Sequence, residues 1–404
     1  MLKIGIIGGG AAGFFAAVHA AGKGSEVIIF EKTSRTLAKV KVSGGGRCNV
    51  THAAFQTSHL VKNYPRGGKF LKKAFKRFQV KDTIEWFENR GVKLKTEEDG
   101  RMFPVTDQSQ TIIDALCNEV EKLGVKVRLK SPVDKIEKVS QGFLIHMGNH
   151  TEKVDKVIVT SGGSPKMEGF QMYKALGHEI NPPIPSLFTF NAPGEDLIKM
   201  PGISVPNAHV KLEGTKLSYE GPLLITHWGV SGPAVLKLSA FGAEWLHEKT
   251  YQANAHIRWC ATLKEEEIRQ KIENYRSKHP KRKVIGHPLF ELPKRLWEHF
   301  IYKCSITNDE IWKNVSKKQI NSLEQHIFCY ILRINGKTTF KEEFVTAGGV
   351  NLKDVDPSTM ESQLVPGLYF AGEVLDIDGI TGGFNFQAAW TTGYIAGTST
   401  KKDP

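Results

Sequence analysis

Residues 2–31 read LKIGIIGGGAAGFFAAVHAAGKGSEVIIFE, and this stretch decides the fold. Residues 2–7 and 26–30 are short apolar runs of the kind that form buried strands. Between them, the Ala-rich run 11–22 predicts a helix entered through Gly8-Gly9-Gly10-Ala11-Ala12-Gly13. Strand, glycine turn, helix and strand within about 30 residues make one βαβ unit. Each glycine of the GxGxxG pattern has a physical task. Gly8 permits a tight turn, Gly10 lets the backbone approach a pyrophosphate, and Gly13 lets the helix lie close on the strand. The helix N-terminus then offers unpaired N–H groups to phosphate. Glu31 closes the second strand, where a carboxylate can hold ribose hydroxyls and disfavours a 2′-phosphate. The three glycines inside the first apolar run also argue against a secretory signal, so a cytoplasmic location is expected.

Outward from this unit, the period turns helical from Lys69 to Arg90. Phe70, Leu71, Ala74, Phe75 and Phe78 share one face there, opposite Lys72, Lys73, Lys76 and Arg77. Residues 109–123 predict another helix, and 126–129, 143–147 and 154–160 predict strands. Residues 183–260 carry many Pro and Gly and read as small β structure; 263–330 are charged and helical. Apolar strands return at 344–350 and 367–371, followed by the glycine-rich GITGGFNFQAA. The expected architecture is α/β. One domain uses both ends of the chain (1–185 with 344–404). A β-rich module (186–262 with about 331–343) and a helical module (263–330) are inserted in it.

The chain has 404 residues, with 40% hydrophobic and 24% charged content, which excludes a disordered or fibrous protein. Lys+Arg number 55 and Asp+Glu 42, a net charge of +13. The whole surplus lies between Lys32 and Lys81, which holds thirteen basic residues and no acidic one. A local surplus of this kind points to one anionic partner: nucleic acid, a membrane surface or a phosphate-bearing cofactor. No apolar stretch reaches the roughly 18 residues of a membrane span. The five cysteines, Cys48, Cys117, Cys260, Cys304 and Cys329, are scattered and form no CxxC, which suits a reducing compartment and no zinc site.

Two further motifs carry chemistry. In Ser43-Gly44-Gly45-Gly46-Arg47-Cys48-Asn49 the bare backbone can lie against a ring or a phosphate. Arg47 could bond phosphate or polarise a ring oxygen, while Cys48 reads as packing. In the C-terminal part, Gly372-Glu373 follows a strand, and Asp376, Asp378 and Thr381-Gly382-Gly383-Phe384-Asn385 lead into a helix. Its positive end can face an electron-rich ring. His227, in THWGVSGP, is a candidate acid/base group, with a hydrogen-bonded structural histidine as the plainer reading. The basic helix 69–81 could bind RNA, but its Phe residues fall on the buried face, so a solvated surface is the plainer reading there too.

The blocks GIIGGGAAG, SGGGRCNVTH, SGGSP, THWGVSGPAVLKLSA and TAGGVNLKDVDPSTMES with GLYFAGEVLDIDGITGGFNFQAAW resemble the bacterial YhiN/BaiN-type NAD(P)/FAD-dependent oxidoreductases. The resemblance runs in order along almost the whole chain. It implies a glutathione-reductase-type, Rossmann-like FAD-binding domain with an inserted β-barrel-like module and a helical one. It further implies that Gly8, Gly10, Ala12 and Gly13 hold the FAD pyrophosphate, with Glu31 and Lys32 at the adenosine ribose and Val133 at the adenine. The loop of Ser43, Gly44, Gly45, Arg47, Cys48 and Asn49, with Lys39 beside it, is implied to run along the flavin. Ser161 and Gly162 join the contacts. Gly372 and Glu373 would hold the pyrophosphate–ribityl part, and Gly383, Phe384 and Asn385 would face the isoalloxazine. Two positions depart from the family pattern: Thr160-Ser161 replaces Ala-Thr, and His52 replaces Asn. Members of the family are linked to reduction of steroid-like enones and to oxidation of small amino ketones.

The expected activity is therefore hydride transfer between flavin and a small organic substrate, with Arg47 and His227 as catalytic candidates. No second GxGxxG occurs, so NAD(P)H is expected only as a transient reductant. Two alternatives stay open: a flavoprotein that binds or modifies RNA through its basic helix, and a flavin-holding protein without turnover.

Overall fold

A computed structural model describes residues 1–338 and 345–401 of the chain. The chain forms two compact units, Met1–Ser186 with Lys341–Pro404, and Leu187–Phe340. The expected boundary at 343/344, and Phe344 itself, lie outside the described residues.

The first unit is built on a five-stranded sheet in the order Leu368–Phe370, Lys156–Val159, Leu2–Ile7, Ser25–Phe30, Lys126–Arg128. Every pairing in it is parallel. Ile4, Ile6, Ile28 and Ile29 are fully buried, as continuous apolar strands covered on both faces must be. The helix Ala11–Ala20 follows the first strand and packs against Phe384–Ser399 near the other end of the chain. This contact is backbone against backbone. A Cβ at Gly393 would stand 2.8 Å from the Ala12 carbonyl oxygen, and one at Gly397 would overlap the Ala16 carbonyl. The alanines of the first helix and the glycines of the last are thus one interlocking surface. A buried polar network fixes the second helix on its other side. Gln387 Oε1 accepts from Thr51 Oγ1 at 2.6 Å and from Thr83 Oγ1 at 3.0 Å, and Trp390 Nε1 donates to the Val50 carbonyl at 2.9 Å.

Two expected elements divide. Residues 154–160 supply the end of one strand, His150–Val154 in an antiparallel three-stranded sheet, and then Lys156–Val159 in the parallel sheet. Asp155 makes the break, because its carboxylate accepts from the Lys3 amide at 2.6 Å. The helical run 69–90 likewise forms Gly68–Ala74 and Val80–Glu88. Asp82 accepts from the Gln79 amide at 2.7 Å and starts a new helix where the periodicity alone sees none. The amphipathic division still holds, with Phe70, Leu71, Ala74, Phe75 and Phe78 buried and Lys72, Lys73 and Lys76 exposed.

In the second unit an antiparallel sheet runs in the order Tyr330–Asn335, Gln252–Arg258, Ser204–Leu212, Ser218–Ile225, Gly229–Ser231, Thr189–Asn191, Lys337–Thr338. Its first and last strands are separated only by Gly336, so the sheet closes on itself as a barrel does. The helices Glu265–Lys278, Lys294–Lys303 and Lys317–Phe328 share one hydrophobic core with this sheet through Ile268, Ile272, Trp297, Phe300, Leu323 and Ile327. Residues 233–241 correct the β reading of 183–260: they are a helix with Pro233 at its first position, where a missing N–H costs nothing. Among the described residues no helix is long and apolar enough to cross a membrane.

Gly397→Ala tests the helix contact. Alanine gains about 1 kcal/mol of helix propensity over glycine. Overpacking against the Ala16 carbonyl should cost more, about 1–3 kcal/mol. The expected result is a net loss of stability in urea denaturation, opposite in sign to the propensity effect.

Candidate cofactor site

The site is built where the parallel strands end. Gly8 leaves the first strand at φ +110°, and a Cβ there would stand 2.5 Å from the Thr160 carbonyl oxygen. Thr160, one of the departures from the family pattern, supports this turn: its hydroxyl donates to the Ile7 and Gly8 carbonyls at 3.0 and 2.9 Å. A Cβ at Gly13 would overlap the Gly8 carbonyl, so the helix can start here only with glycine. Gly10 differs from both. Nothing lies within 4 Å of the position of its Cβ, and the same holds for Gly45, Gly46 and Gly162. Packing explains Gly8 and Gly13; at Gly10 the space is open.

Glu31 is buried, and both of its oxygens are engaged. Oε2 accepts from the Gly9 amide and Oε1 from the Thr33 amide and hydroxyl, each at 2.8 Å. Oε1 has both lone pairs engaged, and Oε2 keeps one for a ribose hydroxyl. The Ser131 amide donates to the Glu31 carbonyl at 2.9 Å, which brings Val133 to this end. Lys32 is exposed beside it.

At the other end, Gly372 packs so closely on the first helix that its Cβ would stand 2.8 Å from that of Ala12. Glu373 Oε2 accepts from Lys39 Nζ at 2.7 Å, and Oε1 from the Thr346 amide at 2.9 Å. Thr346 opens the TAGGV block but is not one of the expected site residues, although a hydroxyl in an otherwise apolar strand is a signal. Its Oγ1 is buried without a hydrogen-bond partner, and a Cβ at Gly163 would come within 2.6 Å of it and 2.9 Å of Glu373 Oε1. Ser161 accepts from the Tyr173 hydroxyl at 2.8 Å.

The glycine loop is held open by three successive left-handed residues, Gly44, Gly45 and Gly46, after Ser43 bonds the Val40 carbonyl. Asn49 joins this loop to the last helix. Its amide nitrogen donates to the Thr51 and Met102 carbonyls, and its oxygen accepts from the Gly383 amide at 3.0 Å. Phe384 is buried and stacks on His52, whose Nδ1 lies 3.1 Å from the Gly382 carbonyl. A carbonyl only accepts, so Nδ1 carries the proton in this contact. His52 is thus an imidazole ring held at the Gly382-Gly383 pair, a place the sequence marks only as a departure from a pattern.

Several candidates are committed elsewhere. Arg47 donates to Glu97 at 2.6 Å, lies 3.5 Å from Asp107 and stacks on Phe103, an acidic clamp that raises its pKa. Asn385 spends its amide on Gly379, donating to the carbonyl and accepting from the N–H at 2.8 Å each. Asp376 accepts from Asn181 and Gly348. Asp378, fully buried, takes Arg66 and Ser186. Burial pushes the Cys48 thiol up to about 12, so it carries no thiolate at neutral pH. His227 lies in the second unit, exposed on the turn between two strands, beside Trp228 rather than in a hydrogen-bonded core position.

Fold and site together define the Rossmann-like, FAD-binding class of oxidoreductases. The chain belongs to the HI0933-like family: the model of the HI0933-like protein Rossmann domain matches residues 2–399. A ribosomal RNA dihydrouridine synthase of Haemophilus influenzae is 32% identical over 98% of this chain and 98% of its own. A 3-dehydro-bile acid delta(4,6)-reductase of Clostridium scindens is 28% identical over 100% of both. Among solved structures, a 3-ketosteroid-delta4-(5alpha)-dehydrogenase of Rhodococcus jostii matches with a TM-score of 0.51 at 14% identity, covering 100% of this chain and 97% of that one. That likeness is one of fold.

The residues fit an extended dinucleotide, and two substitutions test this. Gly10→Ala should leave stability unchanged and lower FAD affinity, as read by flavin fluorescence on titration; Gly13→Ala should lose both. For the buried pair, Arg66→Met should cost about 3–5 kcal/mol by leaving Asp378 unpaired. Burial already holds Asp378 above the usual carboxylate range. The folded variant therefore keeps that proton to higher pH than the unfolded chain, and its stability falls as pH rises through the carboxylate range. Urea denaturation at pH 5 and pH 8 should show the larger deficit at pH 8.

Proposed function

We propose that this protein is a flavin-dependent reductase that adds hydrogen across a ring carbon–carbon double bond conjugated to a carbonyl, with uridine in ribosomal RNA as the substrate. The observation that carries this reading is end-to-end similarity to the Haemophilus influenzae synthase, together with a cradle open at the positions a dinucleotide needs. A dihydrouridine is a uridine that has gained two hydrogens across C5=C6, and a delta-reductase also saturates a ring double bond. The shared chemistry is a hydride delivered to the carbon β to a carbonyl and a proton to the α carbon.

Reduced flavin, when bound, supplies the hydride. The chain supplies the setting. Gly8 and Gly13 shape the turn, Gly10 leaves the pyrophosphate its space, and Glu31 takes the ribose. The N-terminus of the helix Phe384–Ser399 would offer its positive end to the pyrimidine side of a bound ring and favour negative charge there. NAD(P)H is the proposed electron source. Reduction of a small steroid-like enone is the second reading, supported by the Clostridium scindens relative.

Anaerobic mixing decides between them. NADPH or NADH should bleach the flavin band, and added ribosomal RNA should restore it with one dihydrouridine formed per flavin reoxidised. Reoxidation by a 3-oxo-4-ene steroid but not by RNA would replace the first reading with the second.

A further inference from the structure

We propose that the strip from Phe55 to Lys81 seats an RNA strand beside the flavin end of the cradle; this rests on the RNA substrate proposed above. Lys62, Lys69, Lys72, Lys73, Lys76 and Lys81 are all exposed. None of these six takes part in an ion pair among the described residues. Lys69, Lys72 and Lys73 are spaced i, i+3 and i+4 on the helix Gly68–Ala74, and Lys76 follows in the turn after it, while Phe70, Leu71, Ala74 and Phe75 are buried.

An amphipathic segment needs a polar outer face, not one of a single sign. Other helices of the same unit mix their charges: Ser109–Lys122 carries Asp114, Glu119, Glu121 and Lys122, and Val80–Glu88 carries Lys81, Asp82, Glu85 and Glu88. Like charges at i,i+4 repel and destabilise a helix, so the fold gains nothing from these lysines. A polyanion does.

Two further observations select RNA laid against the cofactor end. The strip is joined directly to the segment bearing Gly382 and Gly383. The Ile380 amide donates to the Asn63 carbonyl at 2.9 Å, the Tyr64 hydroxyl to the Phe384 carbonyl at 2.7 Å, and Arg66 grips Asp378. Phosphates held on the lysines would thus be held by the same unit as the proposed flavin site. Secondly, Phe55 is 44% exposed, and among the described residues no other Phe, Tyr or Trp of this unit is exposed. It lies three residues from His52, at most about 11 Å along the chain. An exposed ring in the same stretch of chain as exposed lysines supplies both parts of a single-stranded nucleic-acid site, a ring to stack a base and lysines to follow the backbone. It also suits a reaction for which the uracil must leave its stack.

The test is fluorescence anisotropy of the FAD-loaded full chain with a labelled, uridine-containing single-stranded RNA. Wild type should bind with an affinity that falls steeply with salt. K69E/K72E/K73E/K76E should weaken binding at low salt by more than about 100-fold and lower the salt slope by about 0.7 for each phosphate that is no longer neutralised. NAD(P)H bleaching of the flavin should be unchanged, and the KM for RNA should rise while kcat holds. F55A should weaken binding about tenfold. Should the glutamates impair folding, as read by circular dichroism, the glutamine set at the same four positions should still lower the salt slope. Binding by the quadruple variant equal to wild type would overturn the proposal. An equal loss from K281E/K313E/K317E/K318E in the second unit would also overturn it. Lysine-dependent RNA binding without dihydrouridine formation would keep the surface and remove the uridine reading; dihydrouridine formed by the quadruple variant at unchanged KM would do the reverse.

Discussion

The contact between the helices Ala11–Ala20 and Phe384–Ser399 is the constraint on which the cofactor site depends. Its closeness comes from small residues on both sides, with Gly393 and Gly397 set against the Ala12 and Ala16 carbonyls. Side chains of ordinary size would hold the two axes apart, since interaxial distance follows the residues at the contact. With the axes close, the N-termini of both helices reach one site. One N-terminus belongs to the Gly8–Gly13 turn and the other to the Gly382–Gly383 pair. Residues near opposite ends of the chain thereby meet at one candidate site.

Around that contact the site is stabilised by backbone groups more than by free side chains. Glu31 binds the Gly9 amide, Asn49 binds the Gly383 amide, and Glu373 binds the Thr346 amide. Such bonds set loops in position before a ligand arrives, which lowers the ordering cost of binding. The same economy explains why conspicuous polar residues turn out to be structural. Asn385, Asp376 and Asp378 shape the segment that leads into the last helix, and Arg47 is neutralised by Glu97 and Asp107.

The charge of the chain divides along the same line. Lys39 pairs with Glu373 and Arg66 with Asp378, so part of the basic stretch belongs to the architecture of the site. The exposed lysines between positions 62 and 81 do not. Their location next to the segment bearing Gly382 and Gly383, with Phe55 close in the chain, turns a compositional oddity into a placed surface.

The βαβ unit, the glycine motifs, the helical character of 263–330 and the amphipathic face of 70–78 were legible in the amino-acid sequence. Each is a local pattern: a period, a turn residue or a run of apolar side chains. The breaks at Asp155 and Gln79 were not, because one depends on a carboxylate reaching Lys3 and the other on a capping bond that periodicity ignores. The closure of the second sheet through Gly336 was equally hidden, since pairing partners far apart in the chain leave no local trace. At the site, the sequence by itself determined which backbone would be bare and where a carboxylate would stand. Only the tertiary structure decided which polar groups remain for a ligand. Arg47, Asn385 and Asp378 meet partners from distant segments, while Thr346 Oγ1 and the space over Gly10 meet none. The reason is physical: a side chain's chemistry is written in its type, but its availability depends on what the fold brings within hydrogen-bond reach.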